Sequence, residues 1–135
     1  MKINILLLFA LLIIISCVNK SDNTKTIIPI ENEITEHLRH VVLFKFKETA
    51  TPADIKVVEA SFVALPSKIK EMKDFEWGLN NSTEELNKGF THCFFVTFNS
   101  EDDRSIYLPH PAHLDFVSVL SPHLEDVLVL DYWTK

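Results

Sequence analysis

The sequence predicts an α+β domain, and three observations carry the prediction. Four runs between His37 and the C-terminus alternate with the period of a β-strand. Two helical regions between them carry capping residues and prolines at their starts. The order is strand, helix, strand, strand, helix, strand, and no repeat or low-complexity stretch interrupts it.

In the first run His40, Val42, Phe44 and Phe46 alternate against Val41, Leu43, Lys45 and Lys47, so one face is strongly apolar and His40 belongs to it. Thr51-Pro52-Ala53-Asp54 reads as an N-cap, a first-turn proline and an acidic third residue. It opens a helix with the stripe Ile55, Val58, Phe62 and Leu65, which Pro66 is expected to end. Phe75, Trp77 and Leu79 alternate with Glu76, Gly78 and Asn80 in a second strand, and Asn80-Asn81-Ser82-Thr83 begins a turn-rich connection. The third run is the most hydrophobic, with Phe90, His92, Phe94, Val96 and Phe98 on one face and Thr91, Cys93, Phe95 and Thr97 on the other. Ser100-Glu101-Asp102-Asp103 caps a short helix through Tyr107, and Pro109 and Pro111 reset the chain before a longer one. In that longer helix His113, Phe116, Val117 and Leu120 share a face. Val127 to Trp133 closes the domain as a strand with apolar residues on both sides.

A split βαββαβ pattern of this size is ferredoxin-like, an antiparallel sheet with its helices on one face. The other face would leave Val41, Leu43, Phe95 and residues of the last strand in water, and an apolar patch of that size marks an interface. A two-fold homodimer sealed sheet to sheet is therefore expected.

Composition excludes several function classes. The chain has 135 residues, 47% hydrophobic and 24% charged, which suits one domain and a tail. Gly78 and Gly89 are the only glycines, so neither a dinucleotide-binding loop nor a P-loop can be written. The net charge of −6 and the absence of a basic run interleaved with aromatics argue against a nucleic-acid partner. Cys17 and Cys93 make neither a disulfide framework nor a Cys-x-x-Cys pair. Cys93 lies on the strand face opposite His92, cannot form a Cys-His nucleophile with it, and reads as a small apolar core residue.

The N-terminus has a composition of its own. After Lys2, Ile3 to Ile15 is apolar except for Asn4, too short for a spanning helix of about 20 residues but suited to a signal peptide. Ile14-Ile15-Ser16-Cys17 resembles a bacterial lipobox, in which the cysteine is acylated and becomes the new N-terminus. The expected division is a signal peptide over 1–16, a lipidated tether over 17–36 that is rich in Asn, Ser, Thr, Asp and Lys, and a domain over 37–135. Loss of Lys2 takes the mature charge to −7, so acyl chains on Cys17 rather than charge would hold the protein to a membrane of the bacterial envelope, facing the periplasm or exterior.

The segments from His40 to Lys47, Phe90-Thr91-His92, Tyr107-Leu108-Pro109-His110-Pro111-Ala112-His113 and Leu124 to Tyr132 together resemble the stress-responsive α/β-barrel (Dabb) domain. The likeness runs from about Arg39 to Trp133, and the His-Pro-Ala-His segment with its preceding Tyr is its most specific part. It implies a dimeric α/β barrel. It is also similar to plant polyketide cyclases that close a ring by aldol condensation, which implies an acid-base pair at His113 and Tyr107 with His40 and His92 nearby. Aldol chemistry needs a base beside a carbonyl and a donor for the oxyanion, which His and Tyr supply in a dry pocket.

Periodicity supports convergence independently, since His40, His92 and His113 each sit on the apolar face of their element. Together with Phe44, Phe94 and Phe116, His40 and His92 are expected to line one small apolar pocket. His110 is expected to point away from that pocket because Pro111 starts the helix, and His37 and His123 are expected to be solvated. His110 and His113 could join His92 as zinc ligands only against that geometry, and the pairs Asp102-Asp103 and Glu125-Asp126 read as a helix start and a strand edge, so neither a metal nor a cofactor is expected. The leading expectation is an envelope-anchored dimer with a pocket for a small apolar or aromatic carbonyl ligand. The alternative is a cyclase-like or lyase enzyme using His113 and Tyr107.

Overall fold

The computed structural model describes residues 36–135. The expected signal peptide, Cys17 and nearly all of the tether lie outside the described residues. Four strands, β1 (Leu38–Phe46), β2 (Asp74–Leu79), β3 (His92–Phe98) and β4 (Leu124–Trp133), form one antiparallel sheet in the order β2-β3-β1-β4. Three α-helices, α1 (Pro52–Val63), α2 (Glu101–Tyr107) and α3 (Pro111–Leu120), connect them. Two split βαβ units therefore interleave, with β3 between β1 and β2 and β1 between β3 and β4, which is the ferredoxin-like arrangement expected from the element order. Among the described residues, no helix is long and apolar enough to cross a membrane.

Local chemistry explains most boundaries. Thr51 accepts from the Asp54 amide while the Asp54 carboxylate accepts from the Thr51 amide, a complete capping box with Pro52 in the first turn. Ser100 accepts from the Asp103 amide at the start of α2. Three boundaries differ from expectation. Pro66 does not end α1; the helix stops at Val63 and Pro66 lies inside a 3-10 turn over Leu65–Ser67, where its missing amide costs nothing. The strand β3 begins at His92 rather than Phe90, because the chain is still turning there: Lys88 and Gly89 have φ of 50° and 86°, and the Phe90 amide donates to the Asn87 carbonyl. The strand β4 begins at Leu124 rather than Val127: Leu124 pairs with Phe46 and Asp126 with Lys45, while Glu125, the extra residue where the register shifts between them, ion-pairs with Lys45 at 2.6 Å.

The core lies between the sheet and the helices and is built around Phe62. Its ring sits 4.4 Å from Phe94 and 4.4 Å from Phe116, with Phe75 at 5.3 Å. Hence α1 covers β3 and β2 through Phe62, while α3 reaches β1 through Phe116 and Phe44. On the opposite sheet face the expectation needs correction. Val41 is already buried in the single chain, and Leu43 and Phe95 are half-buried, because they stand on the two central strands and are shielded by neighbours. The uncovered apolar surface is concentrated on the edge strand β4, where Leu128, Leu130 and Tyr132 are exposed.

Candidate functional site

Beside β4 the two layers part. A cavity of about 230 Å³ opens between β1, β4 and the α2–α3 corner, and its walls include Val42, Leu120, Val127 and Val129. Its polar side chains are His40, Tyr107, His113 and Ser121. Of the residues expected to line a pocket, His40, Phe44 and Phe116 do so, together with the pair His113 and Tyr107.

The α2–α3 corner brings the last two together. Tyr107 is the final residue of α2; Pro109 and Pro111 then turn the chain, and His110 caps α3 by accepting from the Ala112 amide through Nδ1. One turn on, the His113 ring lies 4.4 Å from the Tyr107 ring. His113 Nδ1 is 2.8 Å from the Leu108 carbonyl. A carbonyl oxygen can only accept, so in the neutral ring Nδ1 carries the proton and Nε2 keeps its lone pair. Burial pushes the His113 pKa below its ordinary value, outweighing the opposing pull of the Leu108 carbonyl, and His40 and His110 lower it further. Tyr107 is only 1% exposed, and burial raises its pKa. Near neutral pH the corner thus presents an unprotonated imidazole beside a protonated phenol, one to take a proton and one to give a hydrogen bond.

His40 stands on the cavity floor, its ring 5.9 Å from that of Tyr107. Its Nδ1 is 2.7 Å from Asp131 Oδ1, and Asp131 Oδ2 is 2.9 Å from Arg104 on α2. Neither Asp131 nor Arg104 was expected from the sequence. The signal for Asp131 is its register: it is the β4 residue directly opposite His40.

His92 and Phe94 are not in this cavity. Both are buried on β3, which lies on the far side of β1 from β4 and meets α1 instead. His92 Nε2 pairs with Glu59 at 3.0 Å, and Phe94 packs on Phe62. The three imidazoles therefore do not converge. His37 is half-buried rather than solvated, its Nδ1 enclosed without a hydrogen-bond partner among the described residues, and His123 is half-buried 3.9 Å from Asp54. Cys93 is half-buried on the outer sheet face rather than in the core, and burial raises its thiol pKa. Among the described residues, no group of three or more His, Cys, Asp or Glu side chains is gathered as a metal site needs.

The family model described as "Stress responsive A/B Barrel Domain" matches residues 38–134. The stress-response A/B barrel domain-containing protein HS1 of Arabidopsis thaliana is 38% identical over 95 residues, covering 70% of this chain and 87% of that protein. Olivetolic acid cyclase of Cannabis sativa is 34% identical over 95 residues, 70% of this chain and 94% of that protein. Among solved structures, hydroxynitrile lyase from Passiflora edulis superposes with a TM-score of 0.70 at 29% identity, over 75% of this chain and 95% of that one. A dimeric ferredoxin-like protein of unknown function from Bacteroides fragilis gives 0.61 at 29% identity, over 73% and 96%. Several of the matching structures, this one among them, are of dimeric proteins, which supports a homodimer here.

Proposed function

Because the chain belongs to the stress-responsive A/B barrel domain family, we propose that it is a homodimer whose β4-side cavity binds a small, mostly apolar carbonyl compound and moves a proton on it. One observation carries the reading. The Leu108 carbonyl holds His113 in the tautomer whose Nε2 is a base, with its ring 4.4 Å from that of Tyr107. In this scheme Nε2 removes a proton adjacent to the carbonyl, and the Tyr107 O–H donates to the oxygen on which charge develops. Apolar walls exclude water and keep both groups in the protonation states the step needs. The similarity to a cyclase and to a lyase favours this over passive binding.

Exchange of the α-hydrogens of aryl ketones in D₂O, followed by NMR, tests the chemistry without the natural substrate. The protein should accelerate exchange, and His113→Gln and Tyr107→Phe should each lower the rate about 10²-fold or more while the melting temperature moves by only a few degrees. Tight binding of the ketones with no exchange in any of them would leave a binding domain and end the catalytic reading.

Lipidation at Cys17 is the second part of the proposal, with the 17–36 tether holding the domain off an envelope membrane. Cys17→Ser should move the protein from the detergent phase to the aqueous phase; its persistence in the detergent phase would refute the anchor.

A further inference from the structure

A second set of reactive side chains lies on the other side of the molecule, away from the His113 cavity. His92 is buried, with Nε2 3.0 Å from Glu59 Oε1 on α1 and Nδ1 2.8 Å from Thr91 Oγ1. A carboxylate only accepts, so the neutral ring carries its proton on Nε2 and offers a lone pair at Nδ1. The Thr91 hydroxyl must then be the donor. This is the ordering of a nucleophile, a general base and a base-orienting acid, read outward from Thr91 through His92 to Glu59.

The parts are held as such an ordering requires. The Trp77 indole lies parallel to the His92 ring at 6.3 Å with 2° between planes, and Phe46 meets it edge to face at 5.0 Å, so the imidazole is packed on two sides. Backbone bonds fix Thr91 on both sides: its amide donates to the Phe44 carbonyl and its carbonyl accepts from the Asn80 amide. Thr91 shares the sheet face of Cys93, but it immediately precedes β3 and reaches His92 Nδ1 from there; in the single chain it is exposed and lines a cavity of about 330 Å³ with walls that include Leu43, Leu79 and Phe90. Asn80 lines the same cavity. It commits its side-chain oxygen to the Ser82 amide, which leaves the Nδ2 protons as donors for an oxyanion.

We propose that Thr91, His92 and Glu59 form an acyl-transfer site whose substrates are esters with small apolar acyl groups. Thr91 Oγ attacks the acyl carbon and gives its proton to His92 Nδ1 as the new C–O bond forms. The carbonyl electron pair moves onto the oxygen and returns to expel the alkoxide or phenolate, which takes the proton from His92 Nδ1 and leaves the imidazole neutral again. A water molecule, deprotonated in turn by His92, then attacks the acyl-threonine; the C–O bond to Thr91 breaks, His92 returns the proton to Thr91 Oγ, and the carboxylic acid is released. Thr91 is the nucleophile and His92 the base, while Glu59 acts as a positioning residue on the imidazole.

The full-length protein is incubated with p-nitrophenyl acetate, p-nitrophenolate release is followed, and the acetylated protein is mapped by peptide mass spectrometry. The expected result is acetyl on Thr91, with release slowed about 10²-fold or more in Thr91→Val and retained in Thr91→Ser. Glu59→Gln should weaken the rate and lower the pH at which it reaches half its maximum, because the charge that favours the imidazolium is gone. A structural network would lose stability in these variants but could not place acetyl on Thr91. Acetyl found only on lysines, or release by Thr91→Val at the unmodified rate, would overturn the assignment.

Discussion

His40 and Asp131 face each other across β1 and β4, Nδ1 to Oδ1 at 2.7 Å, as directly opposed residues of one antiparallel register. The carboxylate is held on its other side by Arg104, so a strand edge and a helix jointly orient an imidazole on the cavity floor. The sequence could not announce this bond, because Asp131 stands ninety-one residues from its partner in an apolar strand and reads as a solvated break in the pattern.

Replacing that carboxylate should show its role. Asp131→Ala leaves the buried Nδ1–H of His40 without its acceptor, and a cost of about 1–3 kcal/mol is expected in chemical denaturation. Arg104→Ala should cost less, since the guanidinium is partly exposed and His40 keeps its bond. Equal losses in the two variants would contradict the order proposed.

The pH dependence of α-hydrogen exchange follows from the His113–Tyr107 corner. Burial lowers the His113 pKa, so the base stays unprotonated to a pH below the ordinary 6.5 of a histidine, and the acid limb of the rate profile should fall there. Tyr107 is shifted the other way, so the alkaline limb should lie above 10. Stability has matching signs. Between the folded and unfolded pKa values of His113 the unfolded chain binds more protons, so stability is lost as pH falls below about 6.5; above pH 10 the unfolded chain loses the tyrosine proton first, so stability is lost as pH rises. A profile with its acid limb above about 7 would exclude His113 as the base.

The aromatic centre of the fold is also open to a direct test. Phe62 touches Phe94, Phe116 and Phe75 and is 1% exposed, so Phe62→Ala should cost about 3–5 kcal/mol through lost burial and the cavity left behind. Urea unfolding measures it directly.

Assembly can be separated from folding on β4. Leu128 and Leu130 pair with Leu43 and Val41 on the helix-free face and are 40% and 53% exposed in the single chain. Leu130→Lys should therefore yield a folded monomer at micromolar concentration in analytical ultracentrifugation, because a charge there faces water in the monomer and apolar surface in the dimer. A variant that remains dimeric would move the interface off this face.

The fold was legible because its signals are local. Alternation in Leu38–Phe46, the cap at Thr51 and the prolines around His110 each act within a few residues, and all place their elements correctly. Where local signals compete, the reading failed: Phe90 continues the apolar alternation of β3, yet the left-handed backbone at Lys88 and Gly89 keeps it in the turn. Of the candidate site, the juxtaposition of Tyr107 and His113 was legible, because one short segment encodes the corner that joins them. His92 misled because periodicity tells which face of the sheet a residue occupies but not which strand lies beside it, and β3 is separated from the cavity by β1.

One strand, β1, serves both faces at once. His40, Val42 and Phe44 floor the cavity while Val41 and Leu43 look toward the opposite surface, in strict alternation along the strand. Inserting or deleting a single residue before His40 would leave the pairing frame free to slip by one, and every side chain of the strand would change sides. The imidazole would enter the subunit boundary and a leucine the cavity, so binding and assembly would be lost in the same step. Changes of length in this domain therefore belong in the connection between β2 and β3 at 83–86, and an engineered library that varies loop length there while holding β1 constant should retain both properties.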